Sequence, residues 1–170
     1  DEVFGHTKGM EYSLENLLIN NPVKQPTMLM RREVIDELKG VDEDLHFVMD
    51  RELWLRMTIN GFKIEYIPGW VNASFRLVEG TKTFDYTPKF RQEWYEVMQV
   101  AFKDYPFFKD VEQSLMKRSL QTNRSAFYLS MMSKEFADGE VVKGVGNALK
   151  ALRADVSVLG NGGFYKMLIL

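Results

Sequence analysis

The sequence predicts a mainly helical α/β chain, and two observations lead to this class. Between Gln25 and Thr83, short segments of strand character alternate with short helical ones, whereas from Pro88 onward nearly every segment repeats its apolar residues with helical period. The length of 170 residues and the 45% hydrophobic content suit one ordinary domain, or one domain with an appendage. We therefore predict an α/β half at residues 1–87 and an α-helical extension at residues 88–170.

The first half opens with two short helices separated by an extended segment. One helix is predicted for residues 11–19, and Pro26 disfavours helix at Gln25, so QPTMLM is predicted to be extended. The next helix lies in REVIDELKG and ends at Gly40, which suits the left-handed position after a helix. The apolar residues expected to face the core are Leu14, Leu17, Leu18, Val34, Ile35 and Leu38.

A third helix and two strands complete this half. The stretch LHFVMDRELWLRMTINGF places Asp50 at the junction of an apolar run and a helix that ends at Asn60-Gly61. Pro68-Gly69 then separates two predicted strands, and the second strand alternates polar and apolar residues as a half-buried strand does. The helical residues expected in the core are Leu53, Trp54 and Met57. The two faces of the second strand are Val71, Ala73, Phe75 and Leu77, and Asn72, Ser74 and Arg76.

The helical extension is predicted to hold three or four amphipathic helices. Asp138-Gly139 marks a turn before the last of them. Gly144 and Gly146 each cost about 1 kcal/mol inside a helix, so either two helices cross closely there or the start of this helix is frayed. The apolar stripes expected to be buried are Phe90, Trp94, Val97 and Ala101 in one helix and Val141, Val145, Leu149 and Leu152 in another.

Composition and charge exclude several classes of function. A formal net charge of -2 predicts no general attraction to nucleic acid or to anionic lipid. No apolar run approaches the roughly 20 residues that a membrane helix needs, and the first residues lack a signal-peptide pattern. The absence of cysteine excludes disulfides and thiolate chemistry and suits a reducing cytosol. With only His6 and His46 as histidines, the chemistry left to the chain is that of carboxylates.

The segment from Gln25 to Thr83 carries several short motifs in a definite order. A strand leads into an Arg-Arg-Glu helix, GVDEDL follows, and an Asp then opens a helix of the form Asp-x-x-Leu-Trp-x-Arg. A Gly-Phe-x-Ile strand pair ends in an aromatic-Arg pair and a Thr-Lys-Thr tail. This order resembles the acceptor-side half of family 2 glycosyltransferases, the inverting, nucleotide-sugar-dependent enzymes of the GT-A fold. The resemblance implies such a half at residues 1–87, followed by the helical tail that many members carry.

The resemblance implies that Asp50 is the general base, which takes the proton of an acceptor hydroxyl as it attacks the anomeric carbon of the donor sugar. An alcohol is a poor nucleophile at neutral pH, and a positioned carboxylate contributes on the order of 100- to 10,000-fold. Relatives usually carry an acidic residue before the base, where this chain has Met49. A structural alternative is that Asp50 is the N-cap of its helix, worth about 1 kcal/mol, and the two roles are compatible.

Contacts to the donor diphosphate are implied for Arg76, Thr81, Lys82 and Thr83. Cationic and hydroxyl donors suit diphosphate oxygens, although Val78 stands where relatives often have a histidine. The alternative, weighed equally, is that Arg76 and Lys82 are solvated surface charges.

A divalent metal, Mg or Mn, is expected for the full-length enzyme, with its main ligands absent from this chain. Asp42-Glu43-Asp44 mimics the Asp-x-Asp metal motif of these enzymes, but it stands where the family has its Gly-x-Asp-Glu loop. We therefore interpret Asp42 as a residue that fixes this loop by bonds to backbone amides, and we assign no metal ligand.

The implied function is transfer of a sugar from a nucleotide-diphosphate sugar to a glycan or glycolipid acceptor, in cell-surface polysaccharide or glycoconjugate synthesis. We expect a fragment that lacks the nucleotide-binding half and is inactive alone, without nucleic-acid partners or a membrane span, in the cytoplasm or at the inner face of the membrane. The helical tail is a candidate surface for a protein partner. The alternative function is a non-catalytic helical protein-interaction domain, which the helix-rich second half favours.

Overall fold

The computed structural model describes residues 10–69, 73–74 and 86–160. The chain divides into two compact units, residues 1–76 and residues 77–170. Throughout the described ranges the regular structure is helical, and no β-strand forms there. The part of the chain that the structure describes therefore has an all-helical fold.

The predicted α/β class, with the acceptor-side half of a GT-A fold, is wrong for these residues. Gln25–Thr27 forms a 3-10 turn, and Met28 after it has extended backbone angles, φ -86° and ψ 127°, without becoming part of a strand. Residues 62–67, the first strand predicted around Pro68-Gly69, have no regular structure. An extended segment becomes a strand only when a neighbour completes the hydrogen-bond ladder, and the described residues supply none. The second predicted strand lies outside them, except for Ala73 and Ser74.

The first unit contains three helices, α1 (Leu14–Ile19), α2 (Arg32–Glu37) and α3 (Met49–Ile59). Ser13 caps α1, because its Oγ accepts a hydrogen bond from the Asn16 backbone N–H at 3.0 Å. Helices α1 and α3 pack against each other. The apolar residues buried in this unit are Leu17, Leu18, Leu38, Val48, Leu53, Trp54, Leu55 and Met57.

Two glycines end helices of this unit as the sequence predicts. Gly40 and Gly61 have φ angles of +75° and +80°, in the left-handed region that glycine enters without a steric penalty. The Gly40 N–H donates to the Ile35 carbonyl at 2.9 Å, so the glycine closes the last turn of α2. Lys39 shares this region with a φ of +59°.

Arg51 joins α3 to the end of α1. Its side chain is buried, with 5% of the residue exposed. The guanidinium Nε donates to the Leu17 carbonyl at 3.0 Å and Nη2 donates to the Asn20 carbonyl at 3.2 Å. The last carbonyls of a helix lack partners within the helix, so Arg51 satisfies acceptors that burial would otherwise leave unpaired.

Arg51→Met is expected to lower the free energy of unfolding by about 2–3 kcal/mol, because buried carbonyls lose a charged donor that methionine cannot replace. Arg32→Met is the matched control, since the Arg32 side chain is 85% exposed and pairs with Asp36 one turn away. We expect the control to change stability by about 0.5 kcal/mol or less. Urea denaturation measures both, and equal effects would contradict the anchoring role of Arg51.

The second unit is built on three long helices, α4 (Thr87–Asp104), α5 (Gln113–Ala137) and α6 (Val141–Ala154). Two 3-10 turns, Pro106–Lys109 and Val156–Gly160, follow α4 and α6. Helix α5 packs against both α4 and α6. The residues buried here are Trp94, Met98, Ala101, Phe108, Ser119, Asn123, Ser125, Met132, Asn147, Ala148, Ala151 and Val158.

Small and polar residues form the contact between α5 and α6. Ser125 Oγ donates to the Ala151 carbonyl at 3.1 Å, and Asn147 Nδ2 donates to Glu135 Oε2 at 2.6 Å. The predicted turn between these helices is present, with Gly139 at a φ of +79°. These bonds and the small side chains allow the two helices to approach closely.

The buried face of α6 differs from the predicted one. Val141, Val145 and Leu149 were expected in the core, but they are 60%, 47% and 52% exposed. The face that contacts α5 is instead made of Gly144, Asn147, Ala148 and Ala151. A Cβ atom at Gly144 would overlap the ring of Phe136, so close crossing, one of the two explanations offered by the sequence, accounts for this glycine.

Gly144→Ala and Gly146→Ala form a matched pair of substitutions in α6. The first is expected to destabilise the protein by about 1–3 kcal/mol, because the new methyl group forces the Phe136 ring aside. The second meets no atom within 4 Å, so the higher helix propensity of alanine should stabilise the protein by up to about 1 kcal/mol. Thermal melting of both variants checks the opposite signs, and a stabilising Gly144→Ala would rule out the close approach.

Candidate functional site

Asp50 lies in the first turn of α3, directly after Met49, the first residue of the helix. The predicted N-cap role is wrong, because Val48 occupies the N-cap position and no side chain caps this helix. Asp50 Oδ1 accepts a hydrogen bond from the Arg51 backbone N–H at 2.7 Å. The carboxylate therefore lies in the first turn of the helix and accepts hydrogen bonds from backbone N–H groups there.

Burial dominates the electrostatics of Asp50. The half-buried carboxyl has lost part of its hydration, and this desolvation raises its pKa above the usual value, against the opposing effects of the Arg51 backbone N–H and the charges of Arg51 and Lys24. A carboxylate with a raised pKa binds a proton more readily than one in water. The environment thus favours a carboxylate that accepts a proton from a bound molecule.

Arg56 holds α3 against the loop that leads into it. Its Nε donates to both carboxylate oxygens of Glu52, at 2.7 Å and 2.9 Å. Its Nη1 and Nη2 donate to the carbonyls of Leu38 and Gly40, at 2.6 Å and 2.8 Å. Because a guanidinium offers its donors in a rigid plane, the two bonds to Glu52 orient the guanidinium within α3, and the two carbonyl bonds tie α3 to the end of α2.

The loop between α2 and α3 has the role that the sequence indicates for Asp42. Asp42 Oδ1 accepts a hydrogen bond from the Asp44 backbone N–H at 3.0 Å, and its carbonyl accepts from the Leu45 N–H at 3.3 Å. Asp42 is thus a turn-forming residue, as predicted. In the described part of the chain no group of three or more His, Cys, Asp or Glu side chains is placed to hold a metal ion. The divalent metal expected for the full-length enzyme, with its main ligands outside this chain, stays a prediction.

The other predicted site residues, Arg76, Thr81, Lys82 and Thr83, lie outside the described residues, as does Val78. Their contacts with a donor diphosphate stay a prediction. Among the predicted site residues, Asp50 alone has a geometry that the structure describes.

A groove in the second unit was missed by the sequence analysis. Two cavities of about 440 Å³ and about 270 Å³ lie along it and share Tyr95 and Arg124 in their walls. We call this surface the tyrosine groove. Its polar and aromatic wall residues are Gln92, Tyr95, Gln99, Lys117, Gln121, Arg124, Phe127, Tyr128 and Arg153. The signal in the sequence was the helical spacing of Lys117, Gln121, Arg124 and Tyr128 on α5.

Comparisons of the chain with protein-family models, with curated proteins and with solved structures find no match. No described helix is long and apolar enough to cross a membrane.

Asp50→Asn tests the raised pKa of the carboxyl through the pH dependence of stability. Well below the ordinary carboxyl pKa, Asp50 is protonated in both the folded and the unfolded state, so ionisation does not affect stability. As the pH rises through the raised pKa of the folded state, ionisation of the half-buried group lowers stability. The gain in unfolding free energy on substitution should therefore be larger at about pH 7 than at about pH 3.

Denaturant titrations at the two pH values measure this difference. Asp44→Asn removes the same formal charge from an exposed side chain and controls for net charge. A gain from Asp50→Asn that shrinks as the pH rises would show that the carboxylate is stabilised, and not destabilised, by its surroundings.

Proposed function

We propose that this chain supplies the general base of an inverting glycosyltransferase, and that the base is Asp50. The observation that carries the proposal is a half-buried carboxyl with a raised pKa, held in the first turn of a helix whose next five residues, Arg51 to Leu55, are buried. The order of motifs from Gln25 to Thr83, which resembles that of family 2 glycosyltransferases, supports this choice of reaction.

The reaction is a single displacement at the anomeric carbon of a nucleotide-diphosphate sugar. As the acceptor hydroxyl oxygen forms its bond to that carbon, Asp50 takes the hydroxyl proton and the bond to the diphosphate oxygen breaks. Attack from the face opposite the leaving group inverts the configuration. The electron pair of the broken bond stays with the nucleoside diphosphate, and the proton stays on Asp50 until solvent removes it.

The proposal assigns the diphosphate contacts to Arg76, Lys82 and the hydroxyls of Thr81 and Thr83. Cations and hydroxyl donors stabilise the negative charge that develops on the leaving group. A divalent Mg or Mn ion would supply the same kind of charge stabilisation. Because the described residues offer no ligand set for it, no step is assigned to a metal.

The contacts that hold α3 in place suit the role of Asp50 as a general base. A general base must lie within hydrogen-bond reach of the proton it takes, so small displacements reduce the rate. Arg51 and Arg56 tie α3 to the ends of α1 and α2 through four backbone carbonyls. The position of Asp50 is therefore set by the core of the unit. The absence of cysteine suits the cytoplasm, where the proposal places the reaction on a glycan or glycolipid acceptor.

One observation favours the alternative, a non-catalytic helical protein-interaction domain. Val141, Val145 and Leu149 form an exposed apolar row on α6, and surfaces of this kind are common in protein contacts. The row does not involve Asp50. Substitution of Asp50 therefore separates the two functions.

Asp50→Asn, made in the intact protein that contains this chain, is expected to lower glycosyl transfer by a factor on the order of 100 or more. The asparagine amide keeps the size and an acceptor oxygen but takes no proton from an alcohol, so donor binding should be largely kept. Incorporation of labelled sugar into the acceptor glycan measures transfer. Hydrolysis of the donor by water is not a substitute assay, because it need not depend on the same base.

Asp44→Asn is the control for this experiment, since Asp44 is exposed and lies six residues before the base, in the loop that leads into α3. It should transfer sugar like the parent protein. If Asp50→Asn also keeps transfer within about threefold of the parent, Asp50 is not the base and the helical interaction domain becomes the better assignment.

A further inference from the structure

The tyrosine groove combines aromatic and amide side chains. Tyr95 and Tyr128 stand on α4 and α5 as half-buried rings. Gln92 and Gln99 lie one turn to either side of Tyr95 on the same face of α4, and Gln121 lines the adjoining cavity from α5. A glutamine amide carries both donors and an acceptor, and Gln92 uses one donor on Glu96 Oε1 at 2.9 Å. The groove therefore presents flat apolar faces edged by groups that donate and accept hydrogen bonds.

Three cations that line the same groove are in no ion pair with another described residue. Within the described residues, the ion pairs are Arg32–Asp36, Arg56–Glu52, Lys63–Glu65 and Lys143–Glu140. Lys117, Arg124 and Arg153 belong to none of them, although all three line the adjoining cavity. None of the three is thus held in a direct ion pair among the described residues, and an anion is a complementary ligand.

Arg124 and Tyr128 form the centre of this surface. The guanidinium carbon of Arg124 lies 6.0 Å from the centre of the Tyr128 ring, and Lys150 Nζ lies 5.7 Å from the same centre. A hydrogen bond to the Tyr128 side chain, with the proximity of Tyr128 and Tyr95, raises the pKa of Arg124 further. Arg124 thus carries a permanent charge directly beside the two rings, so one ligand can contact both.

The side chains that line the groove indicate which class of anion it fits best. Inorganic phosphate has no apolar face that could pack on the two tyrosine rings, so the aromatic part of the groove would have no role with it. Nucleic-acid binding draws its affinity from many phosphate contacts on a strongly basic surface, whereas this chain has a net charge of -2. A sugar has hydroxyls that both donate and accept, and its C–H face packs on an aromatic ring.

We propose that the tyrosine groove binds an acidic oligosaccharide, whose sugar rings pack on Tyr95 and Tyr128 and whose carboxylates pair with Lys117, Arg124 and Arg153. The length of the groove, two adjoining cavities, suits a chain of a few sugars. If the ligand is the acceptor glycan, this inference names its chemical class and rests to that extent on the proposed function. Binding itself does not involve Asp50.

Isothermal titration calorimetry of the intact chain tests the proposal with three acidic probes, oligomers of galacturonate, of hyaluronan and of sialic acid. A neutral galactose oligomer, inorganic phosphate and a short oligothymidylate serve as comparison ligands. We expect at least one acidic saccharide to bind more tightly than all three comparison ligands. Binding of none of the acidic probes, or tighter binding of phosphate or of oligothymidylate, would overturn the proposal.

Two substitutions place the binding in the groove. Arg124→Gln should weaken the binding of the tightest acidic saccharide by about tenfold, because a charge-assisted pair is lost. Tyr95→Leu keeps an apolar side chain but removes the ring. It should weaken binding of the same saccharide by about threefold to tenfold. Lys134→Gln, an equal charge change at an exposed position of α5 outside the groove, should leave affinity within about twofold.

Circular dichroism and thermal melting confirm that each variant is folded. Equal loss in Arg124→Gln and Lys134→Gln would overturn the assignment to the groove. An Asp50→Asn variant that loses transfer yet binds the saccharide normally supports both proposals. If Arg124→Gln loses saccharide binding while Asp50→Asn keeps full sugar transfer, the proposal for the groove stands and the assignment of Asp50 as the general base fails.

Discussion

Arg51 brings its guanidinium into the interior of the first unit, where it donates to the carbonyls of Leu17 and Asn20. Removing a charged side chain from water is unfavourable unless its donors are satisfied, so the end of α1 and the start of α3 must stay together. Arg56 applies the same constraint one turn further along, through Leu38 and Gly40. Asp50 directly precedes Arg51, and its half-buried position follows from this anchoring. Its raised pKa, the property on which the catalytic proposal rests, is thus a consequence of how α3 is held.

Helical periodicity and capping glycines were sufficient to locate most of the described helices, although not the fold class. Leu17 and Leu18 in α1 and Leu53, Trp54 and Met57 in α3 are buried as predicted. Strands could not be predicted in the same way, because an extended pattern contains no information on whether a pairing neighbour exists. The prediction of which face of α6 is buried was wrong for a related reason. Apolar periodicity identifies an amphipathic helix, but glycine and alanine permit the closest approach of two helices, and here that approach decides which face is buried.

For the candidate site too, some features could be predicted from local sequence motifs and others depend on packing between distant parts of the chain. Asp50 was identifiable from an ordered set of motifs, whereas its burial and its place inside the helix depend on packing that involves α1 and the loop after α2. The tyrosine groove was not identifiable, because its residues come from three helices. The row on α5 that ends at Tyr128 is typical of a solvated helix face when seen alone. It becomes a groove wall only because α4 places Tyr95 across from Arg124.

The cations of the tyrosine groove have a consequence for how anion binding depends on ionic strength. Lys117, Arg124 and Arg153 line one cavity of the groove from two helices, so their attractions for an anion add up there. Dissolved salt screens this attraction over a Debye length of about 8 Å under physiological conditions. Occupancy of the groove by an anion should therefore fall as the ionic strength rises, and a dilute medium favours the bound state.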